Sequence, residues 1–141
     1  MRPVADDPKI TVTEIAGRPR ASSGARFEPV VGYSRAVRSG PFITVSGTVG
    51  LNADGSYPAT VDGQARRALA IIRAAVEALG GRLEDVVRTR MFVTDIAAFD
   101  EVGRAHGEVF GVIRPATSMV EVSKLVDGAL IEIEADAIVR G

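Results

Sequence analysis

The sequence predicts an α+β domain in which two amphipathic helices cover one face of a mixed sheet of about six strands. Three observations carry that expectation. Val61–Leu79 and Phe99–Phe110 repeat apolar residues at helical spacing, while shorter segments around them alternate. The chain has 141 residues, enough for one core and too few for two. Its apolar fraction of 46% and charged fraction of 25% are those of an ordinary globular domain.

Residues 1–32 contain Pro3, Pro8, Pro19 and Pro29, with Ser22-Ser23-Gly24 between them. This segment reads as an irregular N-terminal arm with at most one short strand, and residues 33–141 as the folded domain. Tyr33–Arg38 and Phe42–Ser46 follow as a hairpin, turned by Ser39-Gly40-Pro41. A loop rich in Gly, Asn and Asp runs from Gly47 to Pro58. The first helix comes next. Val61, Ala65, Ala68, Leu69, Ile72, Val76 and Leu79 form its apolar stripe. Thr60 or Asp62 can cap its start, and Gly80-Gly81 can end it in left-handed conformation.

Val86–Thr94 alternates again, with Val87, Thr89, Met91 and Val93 on one face and Arg88, Arg90 and Phe92 on the other. The second helix carries Phe99, Val102, His106, Val109 and Phe110 on its stripe, and Gly111 and Pro115 close it. Thr117–Val122 and Leu130–Val139 are the last strands. In the latter, Ile131, Ile133, Ala135 and Ala137 face one way, and Glu132, Glu134 and Asp136 the other. With both helices on one side, the opposite sheet face must meet solvent or another subunit. It carries Phe42, Phe92 and Ile138 as well as charge, which suits a subunit interface with clefts at its edges.

Composition removes much chemistry. With no cysteine, thiolate nucleophiles, cysteine zinc sites, disulfides and iron–sulfur clusters are excluded. With His106 as the single histidine, two-histidine metal motifs are excluded, and neither a Walker-type loop nor G-x-G-x-x-G is present. No metal and no cofactor is expected. No run is apolar and long enough for a membrane span, and MRPVADDPKI carries charge where a signal peptide needs an apolar run. The expected location is cytoplasmic. Seventeen basic against eighteen acidic residues give a formal charge of −1, so nucleic acid is not an expected partner. The arginines between Arg18 and Arg38 make a mild basic bias that reads as a solvated arm.

The remaining candidates are carboxylates, hydroxyls and the histidine. Glu132, Glu134 and Asp136, at alternate positions of one strand, suit acid–base work, or a charged sheet face balanced by Arg88 and Arg90. His106 is either a packed residue at the edge of the core or a cleft residue titrating near neutrality. Tyr33, beside Gly32, either packs or presents its hydroxyl to a cleft.

The segments "VGYSRAVRSGPFITVSGTVGLNADG", "VVRTRMFVTDIAAFDEVGRAHGEVF" and "RPATSMVEVSKLVDGALIEIEADAIV" together resemble the RidA family, also called YjgF or L-PSP endoribonuclease-like. The resemblance covers about Tyr33 to Val139. It implies a chorismate-mutase-like subunit and a homotrimer whose sheets form a central barrel, with small-molecule clefts between neighbours. It also implies metal-independent hydrolysis of imines and enamines to keto acids and ammonia. The family's glutamate falls on Glu132, its tyrosine on Tyr33 and the glycine of its S-G segment on Gly47. These, with His106, are the expected cleft residues. The family's P-A-R-S motif is here Pro115-Ala116-Thr117-Ser118, so Thr117 stands where an arginine clamps the substrate carboxylate. A threonine offers a neutral hydrogen bond and no bidentate pair. Arg114, an odd number of residues upstream, points to the other face. Thr117 therefore favours a substrate without a free carboxylate. The alternatives are a trimer that binds a metabolite without turning it over and, third, an RNA-directed activity.

Overall fold

The computed structural model describes residues 7–140. Seven strands form one sheet in the order β1-β2-β3-β4-β7-β5-β6. They are β1 (Thr11–Ile15), β2 (Arg18–Ser22), β3 (Ala36–Ser39), β4 (Phe42–Val49), β5 (Val86–Val93), β6 (Ala116–Glu121) and β7 (Ile131–Ile138). Neighbours are antiparallel except β5 and β6, which run parallel. Helices α1 (Val61–Ala78) and α2 (Phe99–Phe110) pack on each other.

The helices obey the periodicity. The Thr60 side chain accepts from the Gly63 N–H at 3.2 Å and caps α1. Gly80, at φ 87°, ends it where a residue with a Cβ would be strained. The stripe Ala65, Ala68, Leu69, Ile72 and Val76 is buried against Ile43, Val45, Ile133 and Ala135 of the sheet. The other sheet face is open, with Phe42 58% and Ile138 42% exposed.

Several expectations need correction. Residues 11–22 are not an irregular arm. They are a hairpin, β1–β2, that continues the sheet through Arg20↔Val37 and Ala21↔Ala36. Its turn is Ala16-Gly17, both at positive φ (54° and 77°). Pro19 is tolerated because β3 pairs only with Arg20 and Ala21, so its missing N–H is not needed there. The hairpin brings the sheet to seven strands instead of about six. Tyr33 is not in a strand either. It follows a single wide helical turn, Glu28–Gly32, and β3 begins at Ala36. Within β5, a bulge between Val86 and Arg88 puts Val86 into the core and leaves Val87 45% exposed, although alternation placed Val87 inward. Thr89, Met91 and Val93 do face the core.

Candidate functional site

The site is built around a bulge in β4. Val45 pairs with Ala135 and Thr48 with Ile133, so three steps on β4 oppose two on β7. The extra residue falls at Ser46-Gly47. Thr48, fully buried, donates to the Ser46 carbonyl at 2.7 Å, and Ser46 donates to the Ser34 carbonyl at 2.6 Å. These bonds fix the bulge and the strand beside it.

Glu132 of β7 points to the helix-free face, because Ile131 and Ile133 on either side are fully buried in the core. Its carboxyl rests on the bulge. A Cβ on Gly47 would sit 2.8 Å from both Glu132 Cδ and Oε2. The missing side chain at 47 leaves room for the Glu132 carboxyl, and no left-handed backbone is involved. Burial pushes the Glu132 carboxyl above its ordinary value; the positive charge of Arg35 opposes that rise, and the like charge of Glu134 adds to it. Of the neighbouring carboxylates, Glu134 and Asp136 accept from Arg90 Nη1 at 3.3 and 3.2 Å. Arg90 therefore balances that part of the sheet face, whereas Arg88 turns to Ser118 Oγ at 2.9 Å.

Tyr33, Gly47 and Glu132 line one cleft of about 650 Å³ with Arg35, Arg67 and Tyr57. Its far wall is the 23–27 segment. That wall is held by Glu28, a buried carboxylate that accepts from Ser22 Oγ (2.7 Å), Ser23 Oγ (2.7 Å), Ser23 N (3.2 Å) and Ala25 N (3.3 Å). Asp127 ties one rim to the other, accepting from Arg26 Nη2 at 2.9 Å and Tyr57 Oη at 3.2 Å.

Thr117 and His106 lie elsewhere. Thr117 pairs with Thr89 in the parallel β5–β6 register, and Thr89 faces the helices with no exposed surface. Thr89 Oγ1 sits 2.7 Å from Thr117 Oγ1 and 2.9 Å from His106 Nε2. The His106 ring packs on Phe110, centroids 4.8 Å apart, and burial lowers its pKa, so the imidazole is neutral at pH 7. His106 is thus half-buried, bonded to Thr89 and away from the cleft that Tyr33 and Glu132 line. Within one chain the five expected residues thus fall into two groups on opposite faces of the sheet. Tyr33, Gly47 and Glu132 share the cleft; His106 and Thr117, which is exposed on the edge strand β6, meet through Thr89 on the helix side.

Sequence reasoning missed Arg35. It is 5% exposed, it lines the cleft, and its Nε and Nη2 are buried without a hydrogen-bond partner. In the sequence it is one arginine among several between Arg18 and Arg38. The available signal was its place, two residues after Tyr33 and so next to the cleft residue already named.

The result is a one-sided α+β sheet, with its helices on one face and, on the other, a half-buried carboxyl over a strand bulge in a cleft of small-molecule size. Comparison with known proteins gives the particular family. The chain belongs to the Endoribonuclease L-PSP family, the RidA/YjgF family, which matches residues 23–139. It is 38% identical to the 2-iminobutanoate/2-iminopropanoate deaminase of Escherichia coli K12, over 77% of this chain and 88% of the relative. It is 33% identical to a RutC family protein of Pyrococcus horikoshii, over 78% of this chain and 89% of the relative. Among solved structures, a Mycobacterium tuberculosis member of the YjgF/YER057c/UK114 family superposes with a TM-score of 0.80 at 50% identity, covering 86% of this chain and 99% of that one. Escherichia coli TdcF with bound serine superposes at 0.73 with 30% identity, covering 77% and 88%.

Proposed function

We propose that this protein hydrolyses a small imine or enamine in a cleft completed between the subunits of a homotrimer, with Glu132 as the proton-transfer group. The observation that carries the reading is the Glu132 carboxyl itself. It is half-buried against Gly47 and raised in pKa, in a cleft that Tyr33 also lines. Burial that raises the carboxyl makes its ionised form a stronger base than a carboxylate in water. In the reaction, water adds to the C=N carbon. As that C–O bond forms, Glu132 takes one proton from the water and passes it to the nitrogen, giving the carbinolamine. Glu132 then takes the carbinolamine hydroxyl proton and delivers it to the nitrogen while C=O forms and the C–N bond breaks. The products are a carbonyl compound and ammonia, and the carboxylate is regenerated. Relatives named as 2-iminobutanoate/2-iminopropanoate deaminases support the reaction class. The open sheet face, with Phe42 and Ile138 exposed, supports a neighbour there.

The test generates 2-iminobutanoate in situ and follows its loss. The protein is expected to accelerate hydrolysis, and Glu132→Gln to lower the rate by about 10² or more. A Glu132→Gln rate equal to that of the unmodified protein would overturn the reading.

A further inference from the structure

We propose that Arg35 is the anion anchor of this cleft, gripping a carboxylate of the small molecule on which Glu132 acts. The inference rests on the hydrolase reading for the chemistry, but its own basis is geometric. A guanidinium keeps its charge at any physiological pH, and its Nε and Nη2 hydrogens run parallel at the spacing of two carboxylate oxygens. In Arg35 those are the two nitrogens that are buried and unpartnered.

The chain shows elsewhere what that edge does. Arg66 Nε and Nη2 hold Glu108 Oε1 and Oε2 at 2.9 and 2.9 Å on the surface. The Arg35 edge is the same pair of donors without a protein partner, buried in a cleft wall. Its backbone is pinned on both sides: Arg35 N donates to the Ala21 carbonyl, and its carbonyl accepts from Ser46 N, each at 2.9 Å. The Tyr33 ring, 5.4 Å from the guanidinium carbon, meets it by its face and takes no hydrogen bond from that edge. Glu132 is near enough for each charge to be felt, yet neither Nε nor Nη2 is bonded to it. A ligand carboxylate at Arg35 would therefore lie beside Glu132 without displacing an existing ion pair. Because Nε and Nη2 have no contact with solvent, a carboxylate reaches them only if a wall side chain moves, and away from water the charge-assisted pair is then strong.

The other cations considered for this role are engaged or misplaced. Arg88 is on Ser118 and Arg90 is on Glu134 and Asp136, while Arg114 is exposed at φ 56°. The loss of arginine at 117 therefore does not leave the cleft without a carboxylate clamp. The clamp comes from the residue just before β3 in place of β6, and the substrate class returns to the carboxylates that Thr117 alone argued against.

The test compares 2-oxobutanoate with its amide, 2-oxobutanamide, by calorimetry on the intact protein. The acid should bind about tenfold or more tightly than the amide. Arg35→Gln should remove that preference and leave amide binding unchanged, and Arg35→Lys should recover part of it. Equal binding of acid and amide by the unmodified protein, or an unchanged preference in Arg35→Gln, would overturn the proposal. Because a buried arginine variant can misfold, the Arg35 Nε–H resonance of the unmodified protein is followed as well, assigned by its absence in Arg35→Lys. It should shift with the acid and stay still with the amide; a resonance unmoved at high acid concentration refutes the anchor. Acid bound at Arg35 with no imine turnover would remove the hydrolase reading and keep the anchor. Turnover and acid preference both unaffected in Arg35→Gln would do the reverse.

Discussion

Replacing Glu28 tests how the cleft wall is built. Its carboxylate takes four hydrogen bonds, one on Oε1 from Ser22 and three on Oε2 from Ser23 and Ala25. In Glu28→Ala the two serine hydroxyls can rotate toward water, because both residues keep some exposure. The N–H groups of Ser23 and Ala25 cannot rotate. Each orphaned donor costs about 1–2 kcal/mol, so the substitution should cost about 2–4 kcal/mol in all. Glu28→Gln keeps an acceptor where Oε2 stands, and Ser22 can turn its hydroxyl to accept from the new amide. It loses only charge assistance, about 1 kcal/mol. Urea unfolding at fixed protein concentration, with unchanged slope, measures both. Acid adds a second check. Burial alone would raise the Glu28 carboxyl, but the bonds from Ser23, Ser22 and the two backbone N–H groups outweigh it and hold the pKa below its ordinary value. The folded pKa lies below the unfolded one, so this stability is present above the ordinary carboxylate range and lost as pH falls through the lowered value. Glu28→Gln should lack that acid limb. Because 23–27 lines the cleft, Glu28→Ala should also weaken 2-oxobutanoate binding. Loss of under about 0.5 kcal/mol in Glu28→Ala, or equal losses in the two variants, would refute the account of the wall.

Other substitutions reach the site and the core. Gly47→Ala places a Cβ 2.8 Å from the Glu132 carboxyl carbon; that flexible side chain yields, so unfolding should change by about 1 kcal/mol or less while imine hydrolysis falls about tenfold or more. Gly50→Ala drives a Cβ into the backbone carbonyl of Gln64 in α1, a contact with no flexible partner, and should cost about 3 kcal/mol or more in urea unfolding. Glu132 has a raised folded pKa, so it contributes stability that is present below the ordinary carboxylate range and lost as pH rises through the raised value; Glu132→Gln should become the more stable of the two at pH 7 by denaturant titration. For the same reason, imine hydrolysis by the unmodified protein should fall as pH drops through that raised value, visible as an acid limb in the rate profile.

The elements legible in the sequence are those whose burial is periodic. Val61–Ala78 and Phe99–Phe110 each bury one stripe, and β7 buries every second residue, so pattern and structure agree. The N-terminal hairpin was hidden because β1 is exposed throughout and β2 carries Pro19, so neither shows alternation. The separation of Thr117 from Glu132 was hidden for a different reason. Which face Thr117 takes is fixed by its register with Thr89, a residue 28 positions away in the chain. Arg35 could be read as solvated because a sequence does not show that its donors are left without partners.

Alternation along β7 offered three carboxylates and no way to choose among them. The structure separates them by what each faces. Glu134 and Asp136 share Arg90, and Asp136 also accepts from Thr44 at 2.7 Å, so both are occupied in holding the sheet face together. Glu132 pairs with Val49 just past the bulge, and its carboxyl lies against Gly47. There β4 has an extra residue, the residue beneath the carboxyl has no side chain, and the nearest cation keeps its two buried donors free. The bulge does two things at once: it makes room for the Glu132 carboxyl, and through Ser46 it holds the backbone of Arg35. A carboxyl and a guanidinium are thereby fixed beside each other, with no bond from Arg35 Nε or Nη2 to Glu132. Closing the bulge by deleting one residue at Ser46-Gly47 would restore a regular ladder and remove both features together, which neither Glu132→Gln nor Arg35→Gln does alone.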